Sequence, residues 1–361
     1  MTQITTLLTI LAFGALTVLI VGFTYKPITS IHAGLPLKEK IKGLDLTGAI
    51  LLTCGTTCLL LALQWGGITY SWKSSKVWGC LIGFGVISSI FIALQIRAKD
   101  KYDFTLQLEC MMLMYHRATV PIHIATQRSV AIGCVFSTCF SIAIITHTYF
   151  MPIYFQAIQQ TSAGQSGVRI LAYGLPITIT TVVSGTLITK TGYYVPVMWF
   201  GAALFTTAAT LLHTLQVDST EREWVSYAIL AGIGFGSAVQ IPFLAINNVL
   251  LNKDIASGSA ILIFSQSLGG ALGLSIAQNV FSTTLEKQLG RISGIKAAII
   301  IAHGASDVQA VVPEAKLRLV LEGYLSAIKS VFVLPIVTAG IAFVVSWAME
   351  QKRMGAKGRQ K

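Results

Sequence analysis

Few side chains in this sequence are placed to do chemistry. The zinc-protease pattern HExxH, the nucleophile pattern GxSxG and a phosphate-binding loop with a lysine are all absent. Every one of the 14 Asp and Glu residues falls between the long apolar runs or at their ends. His147 is the one titratable group, other than thiols and tyrosines, that lies deep in such a run. It fits either a hydrogen-bonded structural group or a proton relay. The sequence therefore predicts no enzyme, no metal site and no cofactor.

Uncharged polar side chains do occur inside the apolar runs, and each needs a partner or water there. Two explanations stay open for them: a position on a substrate cavity, or hydrogen bonds between helices. Gln240 and Asn247 are seven residues apart and so share one face of a helix. We favour the cavity for Gln240 and Gln266. The complete set is Gln240, Asn247, Asn248, Gln266, Gln278 and Asn279.

Glycine is concentrated in two of the apolar runs. The first cluster, GIGFG, contains Gly232, Gly234 and Gly236, and the second, LGGALG, contains Gly269, Gly270 and Gly273. Neither is a dinucleotide fingerprint, because no strand precedes the first and nothing soluble surrounds it. Small residues let membrane helices approach closely, and such faces also permit sliding. The clusters indicate helix packing or a sliding surface.

The composition is that of a membrane protein. The 361 residues are 54% hydrophobic and only 11% charged, which is too few charges to cover a water-facing surface. A helix needs about 20 residues to cross a hydrocarbon layer of about 30 Å. Nine continuous runs have that length, and because they do not alternate in polarity we predict helices, not barrel strands. They are 4–25, 47–65, 77–96, 129–155, 168–188, 193–214, 225–249, 259–282 and 325–348.

The stretch LALQWGGITYSWKSSK, residues 61–76, predicts a turn at one membrane face. Trp65, Tyr70 and Trp72 are of the type that favours the headgroup zone, where an apolar ring and a polar group both find partners. Gly66 and Gly67 allow a tight reversal between them. We therefore expect the two runs on either side to form a helical hairpin.

Positive charge predicts the orientation. Lysine and arginine collect after the first run, after the third run and in the tail 349–361, which places the C-terminus in the cytoplasm. With nine spans, the N-terminus is then outside. The formal net charge of +12 is carried by these loops and the tail. Attraction to anionic lipid headgroups explains it more simply than nucleic-acid binding.

Several stretches, taken in order, resemble the major facilitator superfamily, and more closely the fungal fourteen-helix drug:proton antiporters that export toxins and xenobiotics. They are LDLTGAILL (44–52), LALQWGG (61–67), QRSV (127–130), YFMPIYFQAIQQTSAGQSGVRIL (149–171), GTLITKTGYYVP (185–196), AGIGFGSAVQIPFLAINNVL (231–250) and ILIFSQSLGGALGLSIAQNVF (261–281). The resemblance implies a helical membrane fold and the export of small organic molecules coupled to protons. It also implies residence in the plasma membrane, with the vacuolar membrane as the alternative.

The resemblance implies two groups of functional residues. The turn GTLITKTGYY corresponds to the second-half version of the superfamily's loop motif, with Gly185 and Gly192 for packing and reversal and Lys190 as a gating or charge-pair group. Thr189 stands at the usual acid position of that motif. For the substrate cavity we expect polar or aromatic residues in the matched spans, namely Tyr149, Tyr154, Gln156, Gln240, Asn247 and Gln266.

The matched region resembles helices six to fourteen of the family, so we expect a partial major facilitator fold. Residues 1–97 match helices six to eight, 98–128 form a cytoplasmic connector, and 129–282 match helices nine to thirteen. Residues 283–324 form an external loop and 325–348 the last helix. The antiporter motif and the membrane acid of the family are not among these 361 residues, and 101–116 is a real insertion or translated intron. A second interpretation therefore remains, in which the chain is a non-transporting membrane protein or the product of an incomplete gene model.

Overall fold

The long apolar runs form α-helices, as predicted. The computed structural model describes residues 2–24, 46–67, 69–105, 122–252, 254–292 and 312–353. No β-strand occurs in these ranges. The helices are α1 (Thr2–Thr24), α2 (Leu46–Trp65), α3 (Ser75–Thr105), α4 (Ile122–Ala125), α5 (Arg128–Ala157), α6 (Ala163–Arg169), α7 (Leu171–Thr191), α8 (Val195–His213), α9 (Glu221–Ala238), α10 (Ile241–Val249), α11 (Ile255–Leu289) and α12 (Glu314–Ser346).

Eight segments of the described chain are long and apolar enough to cross a membrane. They coincide with eight of the nine predicted runs, with α6–α7 and α9–α10 each counting as one span. The remaining run is helix α1, in which Gly14–Thr24 forms a shorter apolar helix by the same measure. The prediction of an all-helical, multi-pass protein is therefore confirmed.

Six of these spans pack into one bundle around α5. Helix α5 packs against α10, α11 and α12, while α9 packs against α7 and α8, and α12 closes the ring against α8. Four phenylalanines join α5, α8 and α9 at the centre. The ring of Phe140 lies 4.6 Å from that of Phe136, 4.9 Å from Phe205 and 5.2 Å from Phe235, measured between centroids. Aromatic pairs at these distances add attraction beyond the area that they bury.

The glycines of the GIGFG cluster bring three backbones together. A Cβ at Gly232 would lie 2.6 Å from the carbonyl oxygen of Tyr173, and one at Gly236 would lie 2.5 Å from that of Ile177. Both contacts are with α7, whereas Gly234 meets the backbone nitrogen of Phe205 on α8 at 2.5 Å. Only a residue without a Cβ fits these positions. The packing interpretation of this cluster is confirmed.

The second glycine cluster fixes the register of α11 on α5. A Cβ at Gly269 would lie 2.5 Å from the carbonyl oxygen of Thr138, and one at Gly273 would lie 2.8 Å from Cα of Ile142. The two helices are therefore parallel at this contact. The Thr138 hydroxyl strengthens it by donating a hydrogen bond of 3.1 Å to the carbonyl of Ser265.

Local sequence signals set several helix ends. Thr220 and Glu223 form a capping box at the start of α9, and a proline lies in the first turn of α8 and of α10. Gly192 ends α7 with a left-handed backbone, φ +78°. Pro152, Pro176 and Pro335 lie inside α5, α7 and α12.

Helices α2 and α3 form the predicted hairpin, which is attached to the bundle through α11. Gly67 has φ +83°, and its N–H donates to the carbonyl of Tyr70 at 2.8 Å. The Trp72 ring covers Gly66, where a Cβ would lie 2.8 Å from ring carbons. The side-chain amide of Asn279 on α11 donates to the carbonyl of Gly66. One of the six polar residues found in the apolar runs therefore holds the hairpin turn.

The connecting segments are more helical at their edges than the apolar runs indicate. Of the predicted external loop 283–324, the first seven residues continue α11 to Leu289 and the last eleven begin α12 at Glu314. The connector beginning at residue 98 starts as the end of α3, which runs to Thr105. The questioned insertion, 101–116, lies mostly outside the described residues.

Candidate functional site

The six predicted cavity residues lie on three helices that pack against one another. Tyr149, Tyr154 and Gln156 are on α5, Gln240 and Asn247 belong to the α9–α10 span, and Gln266 is on α11. Their depths follow from the register of the helices. Gly269 packs beside Thr138, so Gln266 lies level with Val135. Tyr149 is then 14 residues farther along α5, a rise of about 21 Å. The six residues therefore do not lie at a single depth along the bundle.

Gln240 and Gln266 form the deeper level. A Cβ at Gly133 would lie 3.4 Å from Cβ of Pro242, and because α10 runs against α5 this places Gln240 level with Val135 as well. Gln240 is exposed and stands at the break between α9 and α10, while Gln266 is half-buried. The two residues favoured for a cavity thus share one depth, about 11 Å along α5 from Arg128.

Asn247 lies on the same exposed side of α10 as Gln240, as their spacing predicts. It is seven residues closer to the predicted cytoplasmic end. Its amide donates to the carbonyl of Phe243 in the preceding turn at 2.9 Å.

The three residues of α5 differ from one another in surroundings. Tyr149 is 45% exposed and packs edge-on against Phe150. Gln156, on the same face seven residues farther, is half-buried and donates to the Ser166 hydroxyl at 3.4 Å. Tyr154 is fully buried, and its hydroxyl donates to the backbone carbonyl of Gln216 at 2.8 Å. Tyr154 thus packs in the bundle interior and bonds the loop between α8 and α9.

His147 is enclosed by aromatic rings. It is fully buried, and its Nδ1 lies 3.4 Å from the Tyr173 hydroxyl. The rings of Phe205 and Phe332 stand edge-on to the imidazole at 5.8 Å and 5.3 Å. Its Nε2 has no hydrogen-bond partner among the described residues. These contacts favour the structural interpretation of His147 over a relay, because no described hydrogen-bond partner continues from Nε2.

The predicted loop motif forms the turn between α7 and α8. The N–H of Gly192 donates to the carbonyl of Ile188 at 2.8 Å, and its positive φ reverses the chain. Lys190 is exposed beside it. Gly185 lies about two turns before Gly192, where an added Cβ would meet nothing within 4 Å. Among the described residues, the turn therefore uses Gly192 for its geometry, while Gly185 packs against no neighbour.

The segment after α12 lies across this turn. We define residues 347–353 as the C-terminal clasp. The side chain of Arg353 covers Gly192, where a Cβ would lie 3.0 Å from Arg353 Cγ, and its guanidinium carbon lies 5.7 Å from the centre of the Tyr193 ring. The amide of Asn248 on α10 donates to the Arg353 carbonyl at 3.5 Å. The clasp therefore joins the loop motif to the end of α10.

Three longer side chains tie the clasp to α5 and α8. The Tyr194 hydroxyl donates to the carbonyl of Glu350 at 2.7 Å, and Arg128 Nε donates to that of Ala348 at 2.9 Å. Trp199 Nε1 donates to the Ser346 carbonyl at 3.1 Å. The Trp199 ring also stacks on that of Trp347 with centroids 4.9 Å apart. The sequence analysis missed these residues, although each stands at the predicted cytoplasmic end of a span.

Glu350 carries the negative charge of the clasp. Its carboxylate lies 2.9 Å from the Lys352 ammonium. The hydrogen bond from Lys352 holds the pKa of Glu350 below its ordinary value, with smaller contributions from the Ser129 hydroxyl and the Arg128 charge; partial burial opposes the shift. The carboxylate is thus ionised at neutral pH beside the first turn of α5, where a helix N-terminus favours a negative charge.

A second polar cluster lies at the opposite end of the bundle. Arg169 at the end of α6 is only 23% exposed and lies 2.7 Å from the Glu221 carboxylate. Its guanidinium stands over the rings of Phe155 at 5.6 Å and Trp224 at 5.3 Å, and it also donates to Gln159. The planar guanidinium of Arg169, held between two rings and a carboxylate, links α5, α6 and α9 at this end. We refer to Arg169 and these partners as the Arg169 cluster.

No protein-family model matches the sequence. Curated relatives do match. The chain is 38% identical over 345 residues to the MFS-type transporter ltbE of Aspergillus luteorubrus, covering 95% of this chain and 60% of the relative. It is 33% identical over 343 residues to the efflux pump roqT of Penicillium rubens, covering 95% and 61%. The efflux pump aflT of Aspergillus parasiticus is 33% identical over 314 residues, covering 86% and 58%. The chain belongs to the major facilitator superfamily.

This membership agrees with the bundle of six packed spans and confirms the resemblance drawn from the motifs. The matched relatives are named as transporters and efflux pumps of fungi, so the prediction of a transporter and not an enzyme is supported. As a member of the major facilitator superfamily, the chain is a multi-pass membrane protein. It spans about 60% of the length of the curated relatives that it matches.

Proposed function

We propose that the protein acts in secondary active export of small organic molecules such as toxins, drugs or secondary metabolites. One observation carries the proposal. Nearly the whole chain aligns with fungal MFS-type transporters and efflux pumps, at 31–38% identity for the relatives that match it over 95% or more of its length. We place the protein in the plasma membrane, with the vacuolar membrane as the alternative. A fluorescent fusion located by microscopy distinguishes the two.

The substrate path in this proposal runs along the exposed sides of α10, α11 and α5. Gln240 and Gln266 share one depth on two contacting helices, so together they can offer two amides to a polar substrate. Asn247 extends this polar side toward the cytoplasm, and Tyr149 and Gln156 extend it outward. Tyr154 supports the path indirectly by fixing the outer end of α5. Alternating access around such a site is the mechanism of secondary transporters.

Proton antiport enters the proposal through family resemblance alone. No Asp or Glu lies in the interior of the apolar runs, so these residues offer no buried carboxylate to carry the proton. The C-terminal clasp and the Arg169 cluster tie the two ends of the bundle. We propose that the two ties keep its six spans together as one body while a substrate passes along its side.

The alternative function is that of a membrane protein that transports nothing by itself; the chain spans about 60% of the length of its relatives. The test expresses the 361-residue chain in a yeast strain that lacks its own drug pumps and measures the accumulation of a panel of fluorescent organic compounds. We expect lower accumulation of at least one compound than with empty vector. Equal accumulation across the panel, with the protein present in the membrane, supports the alternative.

The amide pair is tested in the same strain. Replacing both residues (Gln240→Ala with Gln266→Ala) removes two hydrogen-bonding groups worth about 1 kcal/mol each, so export of a polar compound should fall by about tenfold or more. Asn252→Ala is the matched control, because Asn252 is an exposed amide between α10 and α11. Loss of export in the control variant, or full export in the double variant, contradicts the proposed path.

A further inference from the structure

A cavity of about 440 Å³ lies between the end of α8 and the outer part of α12, away from the proposed path. Its lining includes the basic side chains of Lys329 and His213 and the hydroxyls of Ser326 and Ser330. Lys329 lies inside the apolar run 325–348, where a lysine is costly unless its charge reaches water or a partner. The function argued above leaves this group unexplained.

The cavity offers hydrogen-bond donors to an anion. Lys329 makes no ion pair within the described residues. Ser326 accepts a hydrogen bond of 3.0 Å from Gln288, which leaves its own proton free to donate. His213 also lines the cavity, but its Nδ1 is buried without a partner in the described part of the chain and is therefore not open to a ligand there.

One acidic residue, Glu322, also lines the cavity, where it pairs with Arg318. Its carboxylate lies 3.5 Å from Nε of Arg318, whose other nitrogen lies 3.4 Å from Asp218. All three side chains are more than half exposed, so water and salt screen them. Lys329 is the charged group of the lining that makes no ion pair among the described residues.

The depth of Lys329 matches that of a lipid phosphate. Lys329 is 17 residues before Ser346, which ends α12 on the predicted cytoplasmic side, a rise of about 26 Å. The hydrocarbon layer is about 30 Å thick. A lysine at this position can extend its ammonium to the outer boundary, where phosphates of the outer leaflet lie.

An exposed apolar stripe runs from the cavity toward the other leaflet. Val333 lines the cavity, and Val337, Ile341 and Val344 continue the same face of α12. These four side chains are between 45% and 69% exposed. A hydrocarbon chain can lie along this stripe when a charged group at its end occupies the cavity.

We propose that this cavity binds the phosphate of an anionic phospholipid of the outer leaflet, with one acyl chain along the α12 stripe. Lys329 supplies the charge, Ser326 supplies a further donor, and the stripe supplies the apolar contact. Charge-assisted hydrogen bonds to phosphate are stronger than hydrogen bonds between neutral groups, so the site favours an anion over an uncharged ligand. The same chemistry would recognise a free phosphate ester, so the test separates the two sources.

The test uses the full chain purified in detergent, with unfolding temperature followed by a thiol-reactive dye that detects the half-buried Cys134 and Cys139. Three ligands are compared at equal concentration: dioctanoyl phosphatidylglycerol, dioctanoylglycerol without phosphate, and glycerol 3-phosphate without chains. We expect phosphatidylglycerol to raise the unfolding temperature most, because a ligand that binds only the folded state stabilises it. Equal stabilisation by either of the other two ligands overturns the lipid assignment, and this comparison needs no variant.

Variants then locate the site. Lys329→Gln should weaken the apparent affinity for phosphatidylglycerol by about tenfold or more, Lys329→Arg should retain most of it, and Lys287→Gln is the control at an exposed lysine of α11. Val337→Ser should weaken it by about fourfold, with Val183→Ser on the exposed face of α7 as its match. A folded Lys329→Gln protein that binds this lipid as tightly as the wild type overturns the proposal.

Discussion

At the scale of single residues, the two glycines of the loop motif have different physical requirements. Gly192 has φ +78° and lies under the Arg353 side chain, so both its backbone and its surroundings exclude a Cβ. Gly185 is inside α7 with open space around it. The two glycines therefore have different roles although both belong to the motif, and only the role of Gly192 follows from the geometry of the turn.

We expect Gly192→Ala to destabilise the protein and Gly185→Ala to leave its stability unchanged or slightly higher. A left-handed backbone costs a residue with a Cβ about 1–2 kcal/mol, whereas alanine is favoured over glycine within a helix. Thermal unfolding of the two variants in detergent measures the difference. The explanation fails if Gly185→Ala lowers the unfolding temperature as much as Gly192→Ala does.

At the scale of helices, length and apolar continuity were enough to locate eight spans, the interface turn and the close packing of α9. The pairing of residues across helices could not be predicted in the same way. Asn279 illustrates this, because its sequence position indicates only a polar group in an apolar run. Its partner, the carbonyl of Gly66, lies 213 residues away along the chain. The shared depth of Gln240 and Gln266 likewise depends on contacts of Gly133 and Gly269 that no local pattern specifies.

The Asn279 contact gives a prediction about the α2–α3 hairpin. Asn279→Ala removes the hydrogen bond to the turn, and a net loss of about 1 kcal/mol should speed opening of the turn about fivefold. Amide hydrogen exchange in residues 69–76, read by mass spectrometry, measures this opening. Exchange within α5 should not change, because that helix is buried in the bundle.

Thr283→Ala serves as the control for this experiment. Thr283 lies one turn farther along α11, and its hydroxyl bonds only carbonyls of its own helix. Faster exchange of the hairpin turn in the Thr283 variant would mean that α11 itself had loosened, and the Asn279 bond would then not be the cause.

At the scale of the whole molecule, both ends of the bundle carry charges of both signs. One end carries the bases Arg128, Lys190, Lys352 and Arg353 with the acids Asp254 and Glu350. The other end carries both the acids Asp218, Glu221, Glu223, Glu286 and Glu322 and the bases Arg169, Arg222, Lys287, Arg291, Lys316 and Arg318. Basic residues collect on the cytoplasmic side of membrane proteins. The orientation with the clasp in the cytoplasm and the Arg169 cluster outside is therefore a prediction from the loops and the tail of the sequence.

Orientation is tested by labelling two single cysteines in intact cells with a membrane-impermeant maleimide. Lys190→Cys and Arg222→Cys each replace one exposed cation, at opposite ends of the bundle. Because the α8–α9 loop is predicted outside, Arg222→Cys should react in intact cells, and Lys190→Cys only after permeabilisation. The wild type gives the background from the native cysteines, of which Cys54 is exposed and Cys58, Cys80, Cys134 and Cys139 are half-buried. The reverse pattern would mean that the bundle has the opposite orientation, and the cavity at Lys329 would then face the cytoplasmic leaflet. The binding experiment in detergent does not depend on orientation, so the two predictions are tested independently.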